Sequence, residues 1–472
     1  MPTPPTFRLL TGGTAPDDVA ALRAALAERL ARRGLLTAHD GRPAAGTADR
    51  GGDEEGGRTA PPLPLLVPVG PGENPSHVQA DLARRVARVP SRTDLVLRTS
   101  GSTTGTGRLI AMSTAALVAS AHATHARLGG LGTWLLPLPA HHVAGLQILI
   151  RSLLAETSPV VVDTSTGFSP TALADALRSA RSVTDPTAGS TPARLYVSLV
   201  PTQLVRVLRD PAAGQALAEA DAVLLGGAAA DPALLDRARR AGVNVVTTYG
   251  MSETGGGCVY DGRPLDGVEL AIQDPDADGA GRILISGPVL AEGYLWDSDD
   301  AAPHPNATGR VREGFQDTGA GRVLVTSDRG RLRPDGRLEV LGRLDDVIIT
   351  GGVKVEPRYV EEALTGLEAV AEACVVGLPD EQWGSVVVAA VVCELAAGQE
   401  GSGSPDGRSG PDGAALREAV RDRLDGAHAP KRVAILEALP LLPSGKVDRR
   451  AVARLLAAAT ADETTEPPTP GP

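Results

Sequence analysis

The segment Thr99-Ser100-Gly101-Ser102-Thr103-Thr104-Gly105-Thr106-Gly107-Arg108 follows the short apolar run Leu95-Val96-Leu97. Every position of the segment except Arg108 is a glycine or carries a hydroxyl group. Glycine lets backbone N–H groups approach an anion closely, hydroxyl groups add donors without bulk, and Arg108 can add charge-assisted hydrogen bonds. We therefore predict a phosphate-binding loop after a buried strand; a flexible surface linker is the alternative. The Gly-Lys-Ser/Thr ending of a P-loop is absent.

Short apolar runs and helical patterns alternate around this segment, which indicates an α/β protein with a mainly parallel sheet. From about residue 265 to 342 the pattern changes to short strands separated by glycine turns. After Asp345 it predicts a compact α+β unit with a helix from Pro357 to Leu364. We therefore expect an α/β fold in which a large N-terminal domain (1–344) combines α/β subdomains with a small β-rich subdomain, followed by a small α+β C-terminal domain (345–460).

Three segments have compositions typical of flexible chain. Residues 38–62 are rich in Gly, Asp, Arg and Ala, and residues 397–413 resemble a Gly/Ser linker. The tail, residues 461–472, is similar. We predict two disordered inserts and a disordered C-terminus.

The overall composition argues against several classes of function. The chain has 472 residues, a net charge of −11 and 42% hydrophobic residues, so we expect two or three domains with sizeable cores, no nucleic-acid binding and no basic membrane-binding surface. No run of about 18 apolar residues occurs, and the first residues lack the regions of a signal peptide. Three scattered cysteines form neither a disulfide framework nor a metal-ligand pattern. We expect a cytoplasmic protein without membrane insertion.

Lysine is rare in this chain. Only three of its 46 basic residues are lysines: Lys354 in Gly351-Gly352-Val353-Lys354, Lys431 in Pro430-Lys431-Arg432, and Lys446 in Pro443-Ser444-Gly445-Lys446. Lysine offers a compact charge on a flexible stem, whereas arginine offers a planar fork. Two of the three, Lys354 and Lys446, lie in short Gly-containing motifs and are functional candidates; chance retention is the alternative for any one of them.

Further motifs follow the Ser/Thr/Gly segment in a fixed order: Leu136-Pro137-Leu138-Pro139-Ala140-His141-His142-Val143-Ala144-Gly145, Gly226-Gly227-Ala228-Ala229, Thr247-Thr248-Tyr249-Gly250-Met251-Ser252-Glu253-Thr254, Thr326-Ser327-Asp328, Gly342-Arg343-Leu344-Asp345-Asp346, Gly351–Glu356, Pro379–Gly384 and Pro443–Lys446. In this order they resemble the adenylate-forming superfamily, which includes acyl-CoA synthetases, luciferases and peptide-synthetase adenylation domains. The resemblance covers roughly residues 92–455. The chain departs from the family pattern at Gly107-Arg108, where Pro-Lys is usual.

The resemblance implies how the chain would bind ATP. Tyr249 would stack on the purine and Asp328 would bind the ribose hydroxyls. Glu253 would hold Mg2+, because a hard cation on triphosphate oxygens prefers oxygen ligands. The remaining ATP- or AMP-binding candidates are Thr99, Ser100, Gly101, Ser102, Thr103, Thr104, Gly105, Arg108, Gly227, Ala228, Thr248, Gly250, Met251, Ser252 and Arg343.

The resemblance also implies two half-reactions: a carboxylate attacks the α-phosphate of Mg-ATP to give an acyl-adenylate, and the thiol of coenzyme A then displaces AMP. Lys446 would serve the first step together with Glu253, and His142 would separate the acid pocket from the ATP site. The mobile C-terminal domain would then rotate about the hinge residue Asp345. This rotation would bring in a second loop for the thioester step, with Gly351, Gly352 and Lys354.

Three longer stretches, 141–153, 198–204 and 248–262, look like the 2-succinylbenzoate–CoA ligases of the menaquinone pathway in their short actinobacterial form. Such an acid has two carboxylates, and the one that does not react needs partners in the pocket. The backbone donors of Gly255, Gly256 and Gly257, the hydroxyl of Thr202 and the His142 ring are our candidates; a tight glycine turn without a binding role is the alternative.

The motifs leave alternatives open. Another aryl- or acyl-CoA ligase and a stand-alone adenylation domain that loads a carrier protein use the same first half-reaction. A catalytically silent nucleotide-binding regulator belongs to a different class, and the joint presence of Glu253, Asp328 and Lys446 argues against it. The expected partners are a small carboxylic acid, ATP and CoA, and the oligomeric state stays open, a homodimer included.

Overall fold

The computed structural model describes residues 5–36, 63–86, 88–99, 108–183, 194–295, 314–319, 321–393, 412–442 and 445–463. The predicted flexible segment 38–62, residues 397–411 of the second one and residues 464–472 of the tail lie outside these ranges. So do residues 100–107 of the predicted phosphate loop.

The first half of the chain alternates strands and helices. In order it forms β1 (Phe7–Thr11), α1 (Pro16–Arg32), β2 (Leu65–Val69), α2 (Pro75–Arg85), β3 (Leu95–Arg98), β4 (Leu109–Met112), α3 (Thr114–Leu128), β5 (Gly132–Leu136), α4 (Val143–Leu154), β6 (Val160–Val161), α5 (Pro170–Val183), β7 (Arg194–Leu199), α6 (Pro201–Arg209), α7 (Pro211–Ala218), β8 (Ala222–Leu225), α8 (Pro232–Arg240) and β9 (Val245–Met251).

After a 3-10 turn (Ser252–Thr254), strands dominate the chain up to residue 355. They are β10 (Gly256–Tyr260), β11 (Arg263–Pro264), β12 (Glu269–Gln273), β13 (Ala280–Ser286), β14 (Gly293–Leu295), β15 (Gly314–Thr318), β16 (Gly321–Leu332), β17 (Leu338–Arg343), β18 (Ile348–Thr350) and β19 (Val353–Val355). The last part forms α9 (Pro357–Thr365), β20 (Val370–Asp380), β21 (Gly384–Cys393), α10 (Gly413–Arg423), β22 (Arg432–Ile435) and α11 (Arg449–Glu463).

The central sheet has the strand order β11-β10-β9-β8-β7-β5-β6, and its strands from β9 to β6 are parallel. Both faces of this sheet are buried. Trp134 of β5 and Tyr196 of β7 pack in the core on one face, and the next residue of each strand, Leu135 and Val197, packs in the core on the other face. Helices on both faces explain why these strands read as continuous apolar runs. Loops at the carboxyl ends of such strands meet at one edge, where α/β proteins bind ligands.

A second sheet, β1-β2-β3-β4-β14, presents the predicted phosphate loop. Strands β3 and β4 pair antiparallel, with Arg98 opposite Leu109, so residues 99–108 connect the two strands of a hairpin. Strand β14 pairs antiparallel with β4 and places Tyr294 opposite Ile110. Residues far apart in sequence therefore meet at the base of this loop.

The β-rich subdomain is the sheet β12-β13-β16-β15, with β17 also paired to β16. The chain then passes Asp345 and forms the lid, which we define as β18 to α11. The lid contains the β18–β19 hairpin and the sheet β20-β21-β22 with helices α9 to α11. These elements confirm the predicted fold class: an α/β body, a β-rich part and a small α+β unit.

Local sequence signals explain several element boundaries. Helix α8 begins after Asp231, whose side chain accepts a hydrogen bond from the Ala233 N–H (2.6 Å), with Pro232 in the first turn. Helix α10 begins after Asp412, which caps it through the Ala415 N–H (2.6 Å). The last two residues of the predicted flexible segment 397–413 are therefore the N-cap and the first residue of α10.

Candidate active site

The C-terminal lysine reaches the N-terminal domain on a tight turn. The Leu442 N–H donates to the Lys446 carbonyl (2.7 Å), and the Gly445 N–H donates to the Leu442 carbonyl (2.8 Å). Gly445 has a φ of +78°, a conformation that glycine adopts readily. The hydroxyl of Thr202, at the start of α6, donates to the Gly445 carbonyl (2.8 Å). The lysine turn of the lid is therefore docked on the central α/β domain.

Lys446 lies beside the glycine turn that follows β8. A Cβ added at Gly227 would be 3.1 Å from the Lys446 Cε and 3.9 Å from its Nζ. The lysine keeps solvent-exposed surface, but the surrounding protein removes enough water to lower its pKa, an effect that the charge of Glu253 opposes. The ammonium group and the Glu253 carboxylate thus share one site.

Glu253 belongs to a hydrogen-bonded chain that leads to Arg108, the last residue of the predicted phosphate loop. Its Oε1 accepts from the Tyr294 hydroxyl (2.8 Å), and that hydroxyl accepts from Arg108 Nη1 (3.3 Å). Burial and the nearby Glu253 charge raise the pKa of Tyr294, so its hydroxyl stays a donor. At the base of the loop, the Arg108 N–H donates to Thr99 Oγ1 (2.9 Å) and the Thr99 N–H donates to the Arg108 carbonyl (3.0 Å).

The remaining loop candidates lie outside the described residues: Ser100, Gly101, Ser102, Thr103, Thr104 and Gly105. The two ends that the structure does describe, Thr99 and Arg108, are hydrogen-bonded to each other, and Arg108 is linked to Glu253 through Tyr294. Their place at the mouth of a hairpin favours the loop interpretation over that of a surface linker.

A second polar group joins the β-rich subdomain to β9. The Tyr249 hydroxyl donates to Asp328 Oδ2 (2.6 Å), and Asp328 faces Arg343 across the β16–β17 pair. Arg343 in turn binds Asp345 through Nε (2.9 Å) and Nη2 (2.7 Å). Burial raises the pKa of Asp328, although the Tyr249 hydrogen bond and the Arg343 charge act against it. The predicted ribose-binding residues and the predicted hinge are therefore in contact.

The glycine turn after β8 packs directly on β9. The Thr248 hydroxyl donates to the Leu225 carbonyl (3.3 Å), and a Cβ at Gly226 would lie 2.1 Å from the Thr248 Oγ1. Likewise, a Cβ at Gly250 would lie 2.1 Å from the Gly256 carbonyl oxygen, so only glycine allows these strands to approach this closely. The other predicted nucleotide residues lie on the same two segments: Gly227, Ala228, Met251 and Ser252.

His142 stands at the start of α4, as its N-cap residue. Burial, together with the charges of His141 and Lys446, lowers its pKa to about 4, so the ring is neutral at physiological pH. Its Nε2 is buried without a hydrogen-bond partner among the described residues. A neutral ring with an unsatisfied nitrogen next to Lys446 fits a wall of the acid pocket.

The glycine run 255–257 faces α4 and α3. The Gly255 carbonyl accepts from Gln147 Nε2 (2.6 Å), and the Gly255 N–H donates to the Ser252 carbonyl (3.2 Å). Gly255 and Gly256 have φ values of +60° and +109°. The Gly255 N–H is thus used within the turn, and a role of this run in binding the substrate carboxylate stays a prediction. Gly257 pairs with Gly250 in the β10–β9 ladder.

Arg151, which the motifs did not single out, lies near the other end of α4. It is 3% exposed, its Cζ lies 4.7 Å from the Trp134 ring centroid, and its Nη2 lies within 3.4 Å of the hydroxyl oxygens of Thr124 and Tyr260. Its Nε has no hydrogen-bond partner, and no carboxylate in the described part of the chain pairs with it. Burial lowers its pKa. The signal that could have identified it is one arginine within the apolar helix sequence Leu146–Leu154.

The second predicted loop is not in this site. Gly351, Gly352 and Lys354 belong to the β18–β19 hairpin, and all three are exposed. The Gly351 N–H donates to the Trp383 carbonyl (3.0 Å), and a Cβ at Gly351 would lie 2.6 Å from the Trp383 ring. Within the described ranges, the contacts recorded for this loop stay inside the lid.

Two family models match the chain: the AMP-binding enzyme model over residues 72–295 and the AMP-binding enzyme C-terminal domain model over residues 359–446. A Mycobacterium tuberculosis protein named probable 2-succinylbenzoate–CoA ligase is 42% identical over 412 residues, which cover 85% of this chain and 97% of the relative. The chain belongs to the AMP-binding enzyme family. The superfamily that the motifs predicted is thereby confirmed.

Two further AMP-binding enzymes resemble the chain at lower sequence identity. The 2-succinylbenzoate–CoA ligase of Lactococcus lactis is 28% identical over 378 residues, covering 77% of this chain and 72% of that protein. The o-succinylbenzoate CoA synthetase of Bacillus subtilis, solved with its acyl-adenylate intermediate, superposes with a TM-score of 0.62 at 22% identity, covering 95% of this chain and 88% of that one. This likeness shows the shared fold. No helix among the described residues is long and apolar enough to cross a membrane.

Proposed function

We propose that this AMP-binding enzyme is a 2-succinylbenzoate–CoA ligase of menaquinone biosynthesis. It would convert 2-succinylbenzoate, ATP and CoA to 2-succinylbenzoyl-CoA, AMP and pyrophosphate through an acyl-adenylate. The names of its relatives support the substrate. The observation that carries the proposal is a pair of cations, Lys446 on the lid and Arg151 in α4, because a dicarboxylate needs a partner for each carboxylate.

Helix α4 relates the two cations to each other. The charge of Lys446 contributes to the lowered pKa of His142, the N-cap residue of this helix. Arg151 lies nine residues further on, which corresponds to about 13 Å along an α-helix. Gln147, between them, contacts the Gly255 carbonyl. The reacting carboxylate would therefore lie at the Lys446 end, past the neutral His142 ring, and the benzoate carboxylate toward Arg151.

Burial without a counter-ion makes Arg151 a strong candidate for this role. An isolated buried charge costs several kcal/mol, and proteins normally pair it. Within the described residues Arg151 has hydroxyl and ring contacts but no carboxylate. A substrate carboxylate would supply the missing charge and take the unused Nε donor. This proposal replaces Gly255 and Thr202, which are engaged elsewhere, as the main partners of that carboxylate.

In the first half-reaction both reactants are anions, so the site must supply positive charge. The Lys446 ammonium would approach the substrate carboxylate and the α-phosphate. The buried Glu253 carboxylate has the oxygen donors that Mg2+ prefers, and the Tyr294 hydroxyl fixes its Oε1. Bound there, Mg2+ would neutralise triphosphate charge.

The residues around Tyr249 would bind the nucleotide. We assign the ribose to Asp328 and Arg343, the purine to Tyr249 and the Gly227-Ala228 turn, and the α-phosphate region to Thr248 and Ser252. Gly250 and Met251 would shape the same segment. Thr99, Arg108 and the intervening residues 100–105 would hold the pyrophosphate part.

In the second half-reaction Lys446 must withdraw so that the CoA thiol can reach the adenylate. We propose that the lid rotates about Asp345 and that the loop with Gly351, Gly352 and Lys354 then takes the place of the lysine turn. The hinge residue is held by Arg343 in the present orientation. Rotation would therefore break or rearrange that ion pair.

CoA ligation of three acids tests the function. The enzyme should form a CoA thioester and pyrophosphate with 2-succinylbenzoate, and far less with benzoate or a medium-chain fatty acid. Preference for another acid would indicate a different CoA ligase, activity only with a carrier protein would indicate a loading domain, and inactivity with every acid would indicate a regulator. Each of these outcomes contradicts the proposal.

The variant Arg151→Met tests the observation behind it. Methionine can still pack on Trp134, while the charge is lost. We expect the KM for 2-succinylbenzoate to rise on the order of 30-fold or more, as for loss of a charged hydrogen bond worth about 2 kcal/mol. The melting temperature should not fall, because an unpaired buried charge does not stabilise the fold. Arg127→Met, which removes an α3 arginine bound to the Pro264 carbonyl (2.6 Å), is the control and should leave KM unchanged.

A further inference from the structure

Helix α6 carries the contacts that hold the lysine turn. The Thr202 hydroxyl, in its first turn, donates to the Gly445 carbonyl (2.8 Å). A Cβ at Gly445 would be 3.1 Å from the Val200 Cγ2, so the turn also packs on the residue before the helix. Gly445 directly precedes Lys446. A shift of this contact therefore moves the lysine itself.

Two arginines share the face of α6 that carries Thr202. Thr202, Arg206 and Arg209 follow a spacing of four and three residues, which places them on one stripe of the helix. Gln203, Leu204 and Val207 are buried on the side toward the N-terminal domain. In the lid, Glu372 of β20 is half-buried; burial raises its pKa, and the charges of Arg209 and Arg206 act against that rise. Of this stripe, Thr202 makes the direct contact with the lid, through the Gly445 carbonyl.

We propose that Thr202 is a positioning residue for Lys446: its hydrogen bond to the Gly445 carbonyl fixes the lid orientation in which the lysine reaches the nucleotide. The inference rests on the proposed function, because it takes Lys446 as the lysine of the adenylation step. It also gives Thr202 a different role from the substrate contact that its sequence motif predicted.

A positioning role differs from a substrate contact in which step it affects. Thr202 touches the lid only when the lysine turn is docked, so its hydroxyl stabilises the adenylation orientation and not the thioester orientation. Removing the hydroxyl should slow the first half-reaction and leave the second unharmed. A substrate contact would instead weaken binding of the acid in either step.

The variants Thr202→Val and Thr202→Ser separate these roles. The first half-reaction is measured as acid-dependent ATP–pyrophosphate exchange, and the second as thiolysis of supplied acyl-adenylate. We expect Thr202→Val to lower the exchange kcat on the order of 10-fold with nearly unchanged KM values, while thiolysis is equal or faster. Thr202→Ser, which keeps the hydroxyl, should restore exchange.

The matched control is Thr318→Val. The Thr318 hydroxyl donates to the Gly321 carbonyl (2.7 Å) in an exposed turn, so the variant loses the same kind of hydrogen bond outside the lid contact. It should leave both half-reactions unchanged. Equal losses in both half-reactions for Thr202→Val, or a raised KM for the acid with unchanged kcat, would overturn the proposal.

Hydrogen–deuterium exchange gives a readout that needs no substrate. The segment 440–448 should exchange faster in the ligand-free Thr202→Val protein than in the wild-type and Thr202→Ser proteins. Unchanged exchange of this segment would refute the docking role even if the enzyme used another acid. Conversely, if the wild-type enzyme activates another acid, the proposed substrate is refuted. The hydrogen–deuterium exchange result for segment 440–448 would still stand.

Discussion

The lid carries two glycine-containing turns with a lysine, and they lie in different surroundings. The turn with Lys446 is docked on the central domain through the Thr202 hydroxyl and lies beside Gly227. The hairpin with Lys354 is exposed, and its Gly351 binds the Trp383 carbonyl of the lid itself. In this small domain the turn with Lys446 is thus held against the central domain, while Lys354 faces solvent. We propose that the structure represents the orientation for adenylation, because the turn with Lys446 is the one docked on the central domain.

Among the predicted changes in activity, we expect the largest for Lys446→Ala. The ammonium is the cation that the docked turn supplies, so adenylation should fall on the order of 10²–10³-fold, as after loss of one preorganised donor. Thiolysis of supplied acyl-adenylate should be nearly unchanged. Single-turnover assays of both steps measure this, and equal damage to both would contradict the division of labour.

Lys354→Ala should show the opposite pattern with a smaller effect. Because Lys354 is exposed in the adenylation orientation, ATP–pyrophosphate exchange should be unchanged. Thioester formation should fall on the order of 10-fold if the loop enters the site for the second step. Arg421→Ala, which removes an exposed lid cation that pairs with Glu418 within α10 (3.0 Å), is the control for general loss of lid charge. A fall in exchange for Lys354→Ala would show that the loop already acts in the first step.

The smallest expected effect is a change in the pH profile of adenylation. Loss of hydration lowers the pKa of Lys446, and the protonated form is needed, so kcat/KM should decline as pH rises through a value below that of an ordinary lysine. Lys446→Arg stays charged and should show no such alkaline decline, although its rate is lower. His142, with a pKa of about 4, should add no acidic limb near pH 6.5. An alkaline decline that persists in Lys446→Arg would assign it to another group.

The sequence predicted the parts of this molecule that depend on local pattern. Strand β3, the β-rich part and helix α9 follow from apolar runs, glycine turns and the helical pattern after Asp345. The motif residues Glu253, Asp328 and Lys446 could be identified because their spacing along the chain matches a family. In each case the signal lies within a few neighbouring residues.

Side-chain partners from distant segments could not be predicted in this way. Tyr294 contacts Glu253 only because β14 pairs with β4, and Thr202 contacts Gly445 only because the lid docks on α6. Arg151 stands out in an apolar helix, but its lack of a counter-ion is visible only once its surroundings are folded. The motif also did not indicate that the Gly255 N–H donates to the Ser252 carbonyl in a local turn.

The proposed replacement of the Lys446 turn by the Lys354 loop can be measured through the accessibility of the two lysines, because the chain has only three lysines. Amine labelling with mass spectrometry would compare Lys446 and Lys354, with Lys431 as internal reference, in the enzyme bound to a non-hydrolysable acyl-adenylate analogue with and without CoA. Without CoA, Lys446 should be protected and Lys354 labelled, and addition of CoA should reverse this pattern. An identical pattern in both states would contradict the account.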